Sequence, residues 1–382
     1  MTRPAALERY QSALSELADQ SRLRTLEPRS GLDFTSNDYL GLAGSERLAG
    51  ALVAAIARGT PIGAGGSRLL RGNAPEHEEL EAAAASFFRA ERMLFFGSGY
   101  LANFALLSTL PQRDDLVILD EFVHASTREG VRAGRAAMLE VAHNDAHAVE
   151  ARIRTWRTQG GVGRIWIAVE SLYSMDRDRA PLDELAAIAD RHEAFLVIDE
   201  AHATGVFGPD GRGFSASLEG RHNIVVVHTC SKALGGAGAL VSVARVLGDF
   251  LVNRCRPFIF STAPSPLMAV AALESIRILK NEPERRERLA RLVAYASAES
   301  IRRCAVPMSG SQILPVIIGE DRRTMRIAAA LRDRGFDVRG VRPPTVPAGT
   351  ARLRISLTLN VDERAIAGLF DALADELREI AV

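Results

Sequence analysis

Residues 194–208, AFLVIDEAHATGVFG, and residues 223–242, NIVVVHTCSKALGGAGALVS, decide the fold of this 382-residue chain. Each stretch opens with a continuous apolar run and passes into polar or glycine-rich residues. That pattern is typical of a buried strand of a parallel sheet followed by a loop. The first run leads to Asp199 and the second to Lys232. Because the carboxyl ends of consecutive parallel strands meet at one edge of a sheet, we expect these two residues at the same edge.

The same alternation of apolar runs and helical patterns extends from about residue 45 to residue 285. The further strand-like runs are RMLFF (92–96), DLVILD (115–120), RIWIAVE (164–170) and GALVSVA (238–244). This order predicts an α/β fold with a mostly parallel central sheet covered by helices. The pattern restarts near residue 290, which indicates a smaller C-terminal α/β domain. We therefore predict an N-terminal arm (1–44), a large domain (45–285) and a small C-terminal domain (286–382).

Composition excludes several classes of function. The 47 basic residues balance 47 acidic ones, so no positive excess exists for binding nucleic acid by bulk charge. No apolar run approaches the ~20 residues of a membrane span, and the N-terminus resembles neither a signal nor a transit peptide. We therefore predict a cytoplasmic location and no membrane association. Cys230, Cys255 and Cys304 are too scattered for a disulfide framework or a cysteine-rich metal site, so no metal is predicted.

Lysine is scarce in this chain. Only Lys232 and Lys280 are lysines, and the other 45 basic residues are arginines. An arginine stays protonated at ordinary pH, whereas a buried lysine can lose its proton, so a retained lysine is a candidate for amine chemistry. Lys280 lies in the polar stretch LKNEPERRER and is expected to be solvated. Lys232 follows a buried strand and has hydroxyls at Thr229 and Ser231 beside it, so it is the functional candidate.

The junction RMLFFGSGYLANFALL (92–107) predicts a strand, a glycine turn and a helix. The N-terminus of a helix has free N–H groups and a positive dipole, which suit a phosphate. The spacing of Gly97, Gly99 and Ala102, with Asp120 about 20 residues further on, also matches a dinucleotide-binding fingerprint. A nicotinamide-dependent dehydrogenase is therefore the main rival hypothesis from another class.

Other motifs have an ordinary interpretation beside the functional one. SNDYLGLAG (36–44) is also typical of a polar turn, and GAGGSRLLRGN (63–73) of a flexible glycine-rich loop. His124 in FVHAS is equally consistent with a structural histidine. In ESLYSMD (170–176), loop capping explains Glu170, Ser174 and Asp176 as well as ligand binding does. The letters Asp-Glu-Ala-His at 199–202 also occur in helicases, but the chain has no GxxxxGK[ST] to accompany them.

Together these motifs resemble the α-oxoamine synthases, fold-type-I enzymes that use pyridoxal 5'-phosphate (PLP). The resemblance runs from SNDYLGL (36–42) through GSGYLAN, FVHAS, ESLYSMD, DEAH and the lysine turn to RPPTVPAGTARLRISLT (342–358). Within the family, PPTVPAGTARLR is most similar to the branch that condenses L-alanine with a pimeloyl thioester in biotin biosynthesis. That reaction releases carbon dioxide and a free thiol carrier. The carrier, coenzyme A or an acyl-carrier protein, is left open.

The resemblance implies a role for each matching position around the cofactor. Lys232 matches the lysine that binds PLP covalently, and Asp199 matches the partner of the pyridine nitrogen. His202 and Ser174 match residues near the ring hydroxyl, and His124 matches a histidine stacked on the ring and facing substrate. The phosphate is expected to be bound by residues of this chain and, since the family forms dimers with shared sites, of a partner: Gly99, Tyr100, Thr229, Ser231, and from the partner Ser261 and Thr262.

The resemblance also implies the substrate contacts. Asn37 and Arg354 match residues that hold the amino-acid carboxylate, and Thr345 matches a substrate-side position. Arg24 is the chosen N-terminal arginine for substrate, with Arg22 as the alternative. The chain departs from its relatives where Phe260 replaces a frequent tyrosine, where Arg177 replaces a frequent glycine, and where Ser231 stands for glycine. The turn at Arg177 is therefore the least secure part of the match.

The chemistry explains why these residue types are needed. PLP accepts the electron pair left when the α-proton of alanine is removed. Asp199 keeps the pyridine nitrogen protonated because a nearby carboxylate raises the pKa of a cation. The amine of Lys232 then serves as the general base. Two rivals to the dehydrogenase hypothesis remain open: a related synthase that uses glycine or serine with another acyl thioester, and a non-catalytic binding protein.

Overall fold

The computed structural model describes residues 5–307 and 310–378, and in these ranges seven strands form one central sheet. The strands lie in the order β2-β8-β7-β6-β5-β3-β4. All are parallel except β8, which is antiparallel to both of its neighbours. The strands of this sheet are β2 (Arg92–Phe96), β3 (Leu116–Asp120), β4 (Ala137–Val141), β5 (Ile165–Glu170), β6 (Phe195–Asp199), β7 (Ile224–Thr229) and β8 (Ala239–Val243).

Both faces of this sheet are buried. Along β7, Val225 and Val227 pack into a core on one face, whereas Ile224 and Val226 pack into a core on the other. Successive side chains of a strand point to opposite faces, so a strand that is apolar throughout requires cover on both sides. The prediction of a mostly parallel sheet covered by helices is therefore confirmed.

The chain folds into two compact units, and the central sheet belongs to the larger one, residues 40–173 and 178–287. Helices of this unit follow or precede the strands along the chain. They are α2 (Glu46–Ala57), α3 (Pro75–Phe88), α4 (Gly99–Thr109), α5 (Ala125–Ala133), α6 (Ala146–Thr158), α7 (Leu182–Arg191), α8 (Arg245–Arg254), α9 (Arg256–Ile259) and α10 (Pro266–Asn281). Two short 3-10 turns, Pro209–Gly211 and Phe214–Ser217, lie between β6 and β7.

The smaller unit comprises the described parts of residues 1–39, 174–177 and 288–382. It contains an antiparallel sheet, β11-β12-β9, and a two-stranded parallel pair, β1-β10. The remaining elements of the chain are α1 (Ala5–Asp19), β1 (Leu32–Asp33), α11 (Pro283–Cys304), β9 (Ile313–Gly319), α12 (Asp321–Asp333), β10 (Phe336–Asp337), β11 (Arg339–Val341), β12 (Ala351–Ser356) and α13 (Glu363–Arg378). The boundaries predicted after residues 44 and 285 stay a prediction.

Helix α13 shows why the C-terminal sequence folds as it does. Ile366, Leu369, Phe370 and Leu373 recur at helical spacing and are all fully buried. Such spacing gives a helix one apolar face, which packs against the rest of its unit. Among the described residues, no helix combines the length and apolar character needed to cross a membrane.

Strand β4 is the element of the central sheet that the sequence did not indicate. Its residues Ala137–Val141 pair with β3 at the edge of the sheet, and only Val141 is buried. An edge strand with exposed side chains lacks the continuous apolar run that marks the other parallel strands. The remaining six runs quoted from the sequence all form strands within one residue of each end.

Candidate active site

Strands β6 and β7 bring Asp199 and the lysine turn to one edge of the sheet. The strands pair in parallel with Asp199 opposite Val227, so the last residues of β6 and β7 are neighbours at the carboxyl edge. Lys232 lies three residues beyond the end of β7. The turn requires glycine at 235, where φ is +64° and a Cβ would lie 2.5 Å from the Ala43 nitrogen. The expected juxtaposition of the two stretches is therefore present.

The amine of Lys232 faces the imidazole of His202. Lys232 Nζ lies 2.7 Å from His202 Nε2, and the lysine is half-buried. His202 itself is buried, in the turn that follows β6. The structure therefore gives this lysine a specific polar neighbour, in contrast to a lysine solvated at the surface.

A chain of hydrogen bonds joins Asp199 to His124. Asn103 Nδ2 lies 2.6 Å from Asp199 Oδ2 and 3.1 Å from Ser126 Oγ, and Ser126 Oγ lies 2.7 Å from His124 Nδ1. Asn103 and Ser126 are buried. Sequence analysis did not select either residue. The one available signal was a polar residue at 103 within the otherwise apolar ANFALL of α4.

His124 caps helix α5. Its Nδ1 accepts the backbone N–H of Ser126 at 3.2 Å. Partial burial of the ring, followed in size by the opposing charge of Asp199 and the like charge of Lys232, sets a net lowering of the pKa of His124. The imidazole therefore lies within electrostatic reach of both residues that the sequence paired, and its neutral form is favoured.

The start of helix α4 faces the hydroxyls at the end of β7. Ser98 caps the helix by accepting the Leu101 N–H at 3.1 Å. A Cβ on Gly99 would lie 3.4 Å from Thr229 Oγ1, so the missing side chain leaves room beside that hydroxyl. Ser231 Oγ lies 3.0 Å from Thr229 Oγ1. Free N–H groups and two hydroxyls therefore converge on one place, as an anion site requires.

Three further residues predicted for the phosphate lie around this helix start. The Tyr100 hydroxyl donates to Glu129 Oε2 at 3.0 Å, and its ring meets the His124 ring edge-on at 6.3 Å. Ser261 and Thr262 line a cavity of about 20 Å³ together with Gly97 and Leu101 of their own chain. Their predicted contact with the phosphate of a partner stays a prediction.

The residues of the larger unit fit PLP. The cofactor needs an amine for its aldehyde, a carboxylate for its ring nitrogen, a flat partner for its ring and an anion site for its phosphate. Lys232, Asp199 and His124 provide the first three, and the glycine start of α4 with the hydroxyls of β7 provides the fourth. The absence of a Cβ at Gly99 is the feature that leaves space for a phosphate oxygen.

In the smaller unit, two arginines of β12 hold the segment Ser174–Arg177. Arg354 Nε donates to the Ser174 carbonyl at 2.8 Å, and Arg352 Nη1 donates to Asp176 Oδ1 at 2.6 Å. Both arginines are buried, and alternate residues of a strand share one face. Arg177 has φ +64°, the left-handed conformation that favours glycine, and its Nη1 donates to the Pro307 carbonyl at 2.7 Å. The turn therefore keeps a glycine-type backbone with an arginine in it.

Asn37 lies beside the same arginine group. Its Oδ1 accepts the Tyr39 hydroxyl at 2.9 Å. Burial raises the pKa of Tyr39, while the charge and hydrogen bond of Arg354 lower it in part. Tyr39 thereby connects Asn37 to Arg354, the two residues expected to hold a carboxylate. Tyr39 was not selected from the sequence.

The N-terminal arginines have different partners. Arg24 Nη2 lies 3.5 Å from Thr345 Oγ1, so the two expected substrate residues are adjacent. Arg22 Nε instead donates to Asp321 Oδ2 at 2.5 Å in an ion pair. Because the charge of Arg22 is neutralised within the protein, Arg24 is the better candidate for a substrate anion.

Asp120, the acid of the rival dinucleotide fingerprint, is committed to structural bonds. It is buried and accepts hydrogen bonds from the Phe122 and Asn144 N–H groups and from His143 Nδ1 at 2.8 Å. In the dinucleotide fold the acid follows the strand next to the glycine-bearing strand. Here β3 and β2 are separated by four strands. The nicotinamide-dependent dehydrogenase hypothesis is therefore wrong.

Comparisons with known proteins agree with this geometry. The family model for aminotransferase class I and II matches residues 29–373. A protein of Anaeromyxobacter dehalogenans (strain 2CP-1) named 8-amino-7-oxononanoate synthase is 40% identical over 98% of this chain and 97% of its own length.

Two solved structures share the architecture over nearly the whole chain. A structure of SPT (serine palmitoyltransferase) with PLP has 28% identity, a TM-score of 0.89 and full coverage of both chains. The 8-amino-7-oxononanoate synthase of Francisella tularensis has 26% identity and a TM-score of 0.77, and the match covers 92% of this chain and 99% of that one.

Proposed function

Since this chain belongs to the class I and II aminotransferase family, and within it to the α-oxoamine synthases, we propose that it condenses L-alanine with a pimeloyl thioester. The products are 8-amino-7-oxononanoate, carbon dioxide and a free thiol, which is a step of biotin biosynthesis. The enzyme is a PLP-dependent acyltransferase. In the reaction a bond forms between the alanine Cα and the thioester carbonyl carbon, the thiol leaves, and the carboxyl group of alanine departs as carbon dioxide.

The observation that carries this proposal is the position of the Lys232 amine. It lies 2.7 Å from His202, in a turn at the sheet edge where Asp199 ends the neighbouring strand. Bound PLP supplies an electron sink that makes the α-proton of an amino acid removable. Lys232 binds the aldehyde of the cofactor, and its freed amine then takes the proton from Cα of alanine. A positioned general base contributes ~10²–10⁴-fold to the rate.

The other residues of the larger unit orient the ring and bind its phosphate. The Asp199 carboxylate holds a proton on the ring nitrogen, because a nearby anion stabilises a cation. His124 covers the ring face and donates a hydrogen bond to the thioester carbonyl. The N–H groups at the start of α4, with Thr229 and Ser231, bind the phosphate.

The residues of the smaller unit select the substrates. Arg354 and Asn37 bind the carboxylate of L-alanine, since a guanidinium matches a carboxylate with two parallel hydrogen bonds. Arg24 and Thr345 bind the acyl substrate. Ser174, whose backbone Arg354 holds, contacts the ring hydroxyl together with His202.

The assembly and the location follow from the family resemblance. We propose a homodimer in which Ser261 and Thr262 reach the phosphate of the partner, and we keep the prediction of a cytoplasmic location. The acyl carrier is coenzyme A or an acyl-carrier protein. Comparing turnover of pimeloyl-coenzyme A with that of a pimeloyl-acyl-carrier protein distinguishes the two.

The first test is covalent trapping. Borohydride reduction of the holoenzyme, followed by peptide mass spectrometry, is expected to show PLP attached to Lys232 and not to Lys280. Lys232→Ala should lose the label and reduce turnover by roughly 10²–10⁴-fold. Lys280→Arg is the matched control, because Lys280 is exposed in the last turn of α10, and this variant should keep both. An unlabelled Lys232 contradicts the proposal, and so does full activity of Lys232→Ala, which a non-catalytic binding protein would show.

The second test is a substrate panel. L-alanine with pimeloyl-coenzyme A should give 8-amino-7-oxononanoate, identified by mass spectrometry. Glycine and L-serine, with acetyl- or palmitoyl-coenzyme A, address the alternative within the family, which the structural match to serine palmitoyltransferase favours. Preferred turnover of L-serine with a long-chain thioester would replace the proposed substrates by those.

A further inference from the structure

The direction of the hydrogen bonds between Asp199 and His124 is decided by chemistry. An ionised carboxylate only accepts hydrogen bonds, so the group that Asn103 presents to Asp199 Oδ2 at 2.6 Å must be its NH₂. The amide nitrogen has two protons. The second one is directed at Ser126 Oγ, 3.1 Å away. Ser126 Oγ is therefore an acceptor towards Asn103.

The hydroxyl of Ser126 must then donate to His124. Ser126 is buried, and among the described residues its Oγ has Asn103 and His124 Nδ1 as its side-chain neighbours within hydrogen-bond distance. Leaving a buried O–H without an acceptor costs ~1–3 kcal/mol. The hydroxyl proton accordingly points at His124 Nδ1, 2.7 Å away.

A second donor is directed at the same nitrogen. The backbone N–H of Ser126 lies 3.2 Å from His124 Nδ1, because the imidazole caps helix α5. A proton on Nδ1 would face both donors and the positive end of the helix dipole. A neutral ring in this setting therefore carries its proton on Nε2. Among the described residues Nε2 has no hydrogen-bond partner, and the side chain is exposed.

We propose that Asn103 and Ser126 are positioning residues that hold His124 as a neutral imidazole with its proton on Nε2, ready to donate to the thioester carbonyl oxygen. The inference rests on the proposed function for the identity of that acceptor. The relay starts at the same Asp199 carboxylate that holds the proton of the ring nitrogen. One anion thereby orders both the cofactor ring and the histidine above it.

The charged and titratable groups around His124 are few in the described part of the chain. Asp199 and Lys232 act on it electrostatically, and Tyr100 of α4 meets it edge-on. Glu129 of α5 accepts a hydrogen bond from the Tyr100 hydroxyl and, as the largest cause, raises the pKa of Tyr100. None of these groups touches Nδ1, so the proton position is decided by Ser126 alone.

The proposal predicts opposite effects for two substitutions. Ser126→Ala removes the hydroxyl donor but leaves the backbone N–H and the bond between Asn103 and Asp199. Asn103→Asp reverses the relay, because the new carboxyl group presents an acceptor oxygen to Ser126 whether or not it is protonated. The Ser126 hydroxyl then donates to that oxygen, and His124 can donate from Nδ1 to Ser126 Oγ.

The test is the ¹⁵N spectrum of ring-labelled histidine in the holoenzyme, with the His124 signal assigned from a His124→Gln variant. The parent should show a protonated Nε2 and an unprotonated Nδ1. Asn103→Asp should move the proton to Nδ1 and lower kcat by roughly 10²-fold, the usual loss for one donor to a developing oxyanion. Ser126→Ala should lower kcat about tenfold and move the acid limb of the pH profile upward, because a donor that favoured the neutral ring is lost.

Ser300→Ala is the matched control, since Ser300 is a buried helical serine whose hydroxyl donates to the Val306 carbonyl at 2.6 Å. It should leave the His124 signal unchanged. A parent His124 protonated on Nδ1, or an unchanged signal in Asn103→Asp, overturns the proposal. If the spectra follow the prediction while L-alanine and pimeloyl thioester are not turned over, the relay stands and the proposed substrates fail.

Discussion

The two lysines of this chain show how much one side chain depends on its surroundings. Lys280 is exposed in the last turn of α10, whereas Lys232 is half-buried with its amine 2.7 Å from His202. The scarcity of lysine was enough to select Lys232 from the sequence. The identity of its polar neighbour required the turns after β6 and β7 to be placed side by side.

His143 is a second residue whose properties come from its neighbours. Its Nδ1 lies 2.8 Å from Asp120 Oδ1 and its Nε2 lies 2.5 Å from Asp178 Oδ2. Burial lowers the pKa of His143, but the hydrogen bonds and charges of Asp120 and Asp178 outweigh it and raise the pKa to about 10. The rings of Phe122 and Tyr173 pack on it at 4.5 Å and 4.4 Å. A charged imidazole therefore ties the ends of β3 and β4 to the loop that follows β5.

We predict that His143→Gln makes stability less dependent on pH. A histidine whose folded pKa lies above its unfolded value of ~6.5 stabilises the fold fully below that pH, and this contribution is lost as the pH rises towards 10. The variant should be destabilised by about 2 kcal/mol at pH 6 and by less at pH 10. Urea unfolding across this range measures the difference.

The control for this prediction is His147→Gln, an exposed histidine in the first turn of α6. It should match the parent at every pH. A gap between His143→Gln and the parent that widens towards pH 10 would contradict the charge assigned to His143.

At the scale of elements, the start of α4 is the part of the site with the clearest geometric demand. We predict that Gly99→Ala weakens PLP binding about tenfold, because a Cβ would stand 3.4 Å from Thr229 Oγ1 in the space for a phosphate oxygen. The melting temperature of the apoenzyme should stay close to that of the parent, since these are near-ordinary contacts. Absorbance titration of the apoenzyme with PLP measures the affinity.

Gly97→Ala is the matched control for Gly99→Ala. A Cβ at Gly97 would meet only Leu101 Cδ2, at 3.9 Å. This variant should bind PLP as the parent does. Equal affinities for all three proteins would contradict a phosphate at the start of α4.

At the scale of the whole molecule, the proposed homodimer can be tested on an exposed aromatic residue. Phe260 is 72% exposed and precedes Ser261 and Thr262. We predict that Phe260→Asp weakens dimerisation at least about tenfold, because an interface cannot solvate the new carboxylate, while the fold of each chain is kept. Sedimentation equilibrium over a range of concentrations measures the dissociation constant.

Val162→Asp is the control for the dimer prediction. Val162 is 86% exposed in the loop before β5 and is not implicated in assembly. Its substitution should leave the mass distribution unchanged. A monomeric parent, or a Phe260→Asp variant with the dissociation constant of the parent, would contradict the proposed interface.

The amino-acid sequence by itself determined the α/β class, the six apolar strands and the chemistry of Lys232 and Asp199. It did so because strands buried on both faces are apolar throughout, and because amine and carboxylate chemistry is carried by residue type. Only the tertiary structure decided the relay from Asp199 through Asn103 and Ser126, and the pairing of His143 with two acids. These groups lie far apart in sequence, and hydrogen bonds depend on distances of a few tenths of an ångström that no spacing of residues encodes.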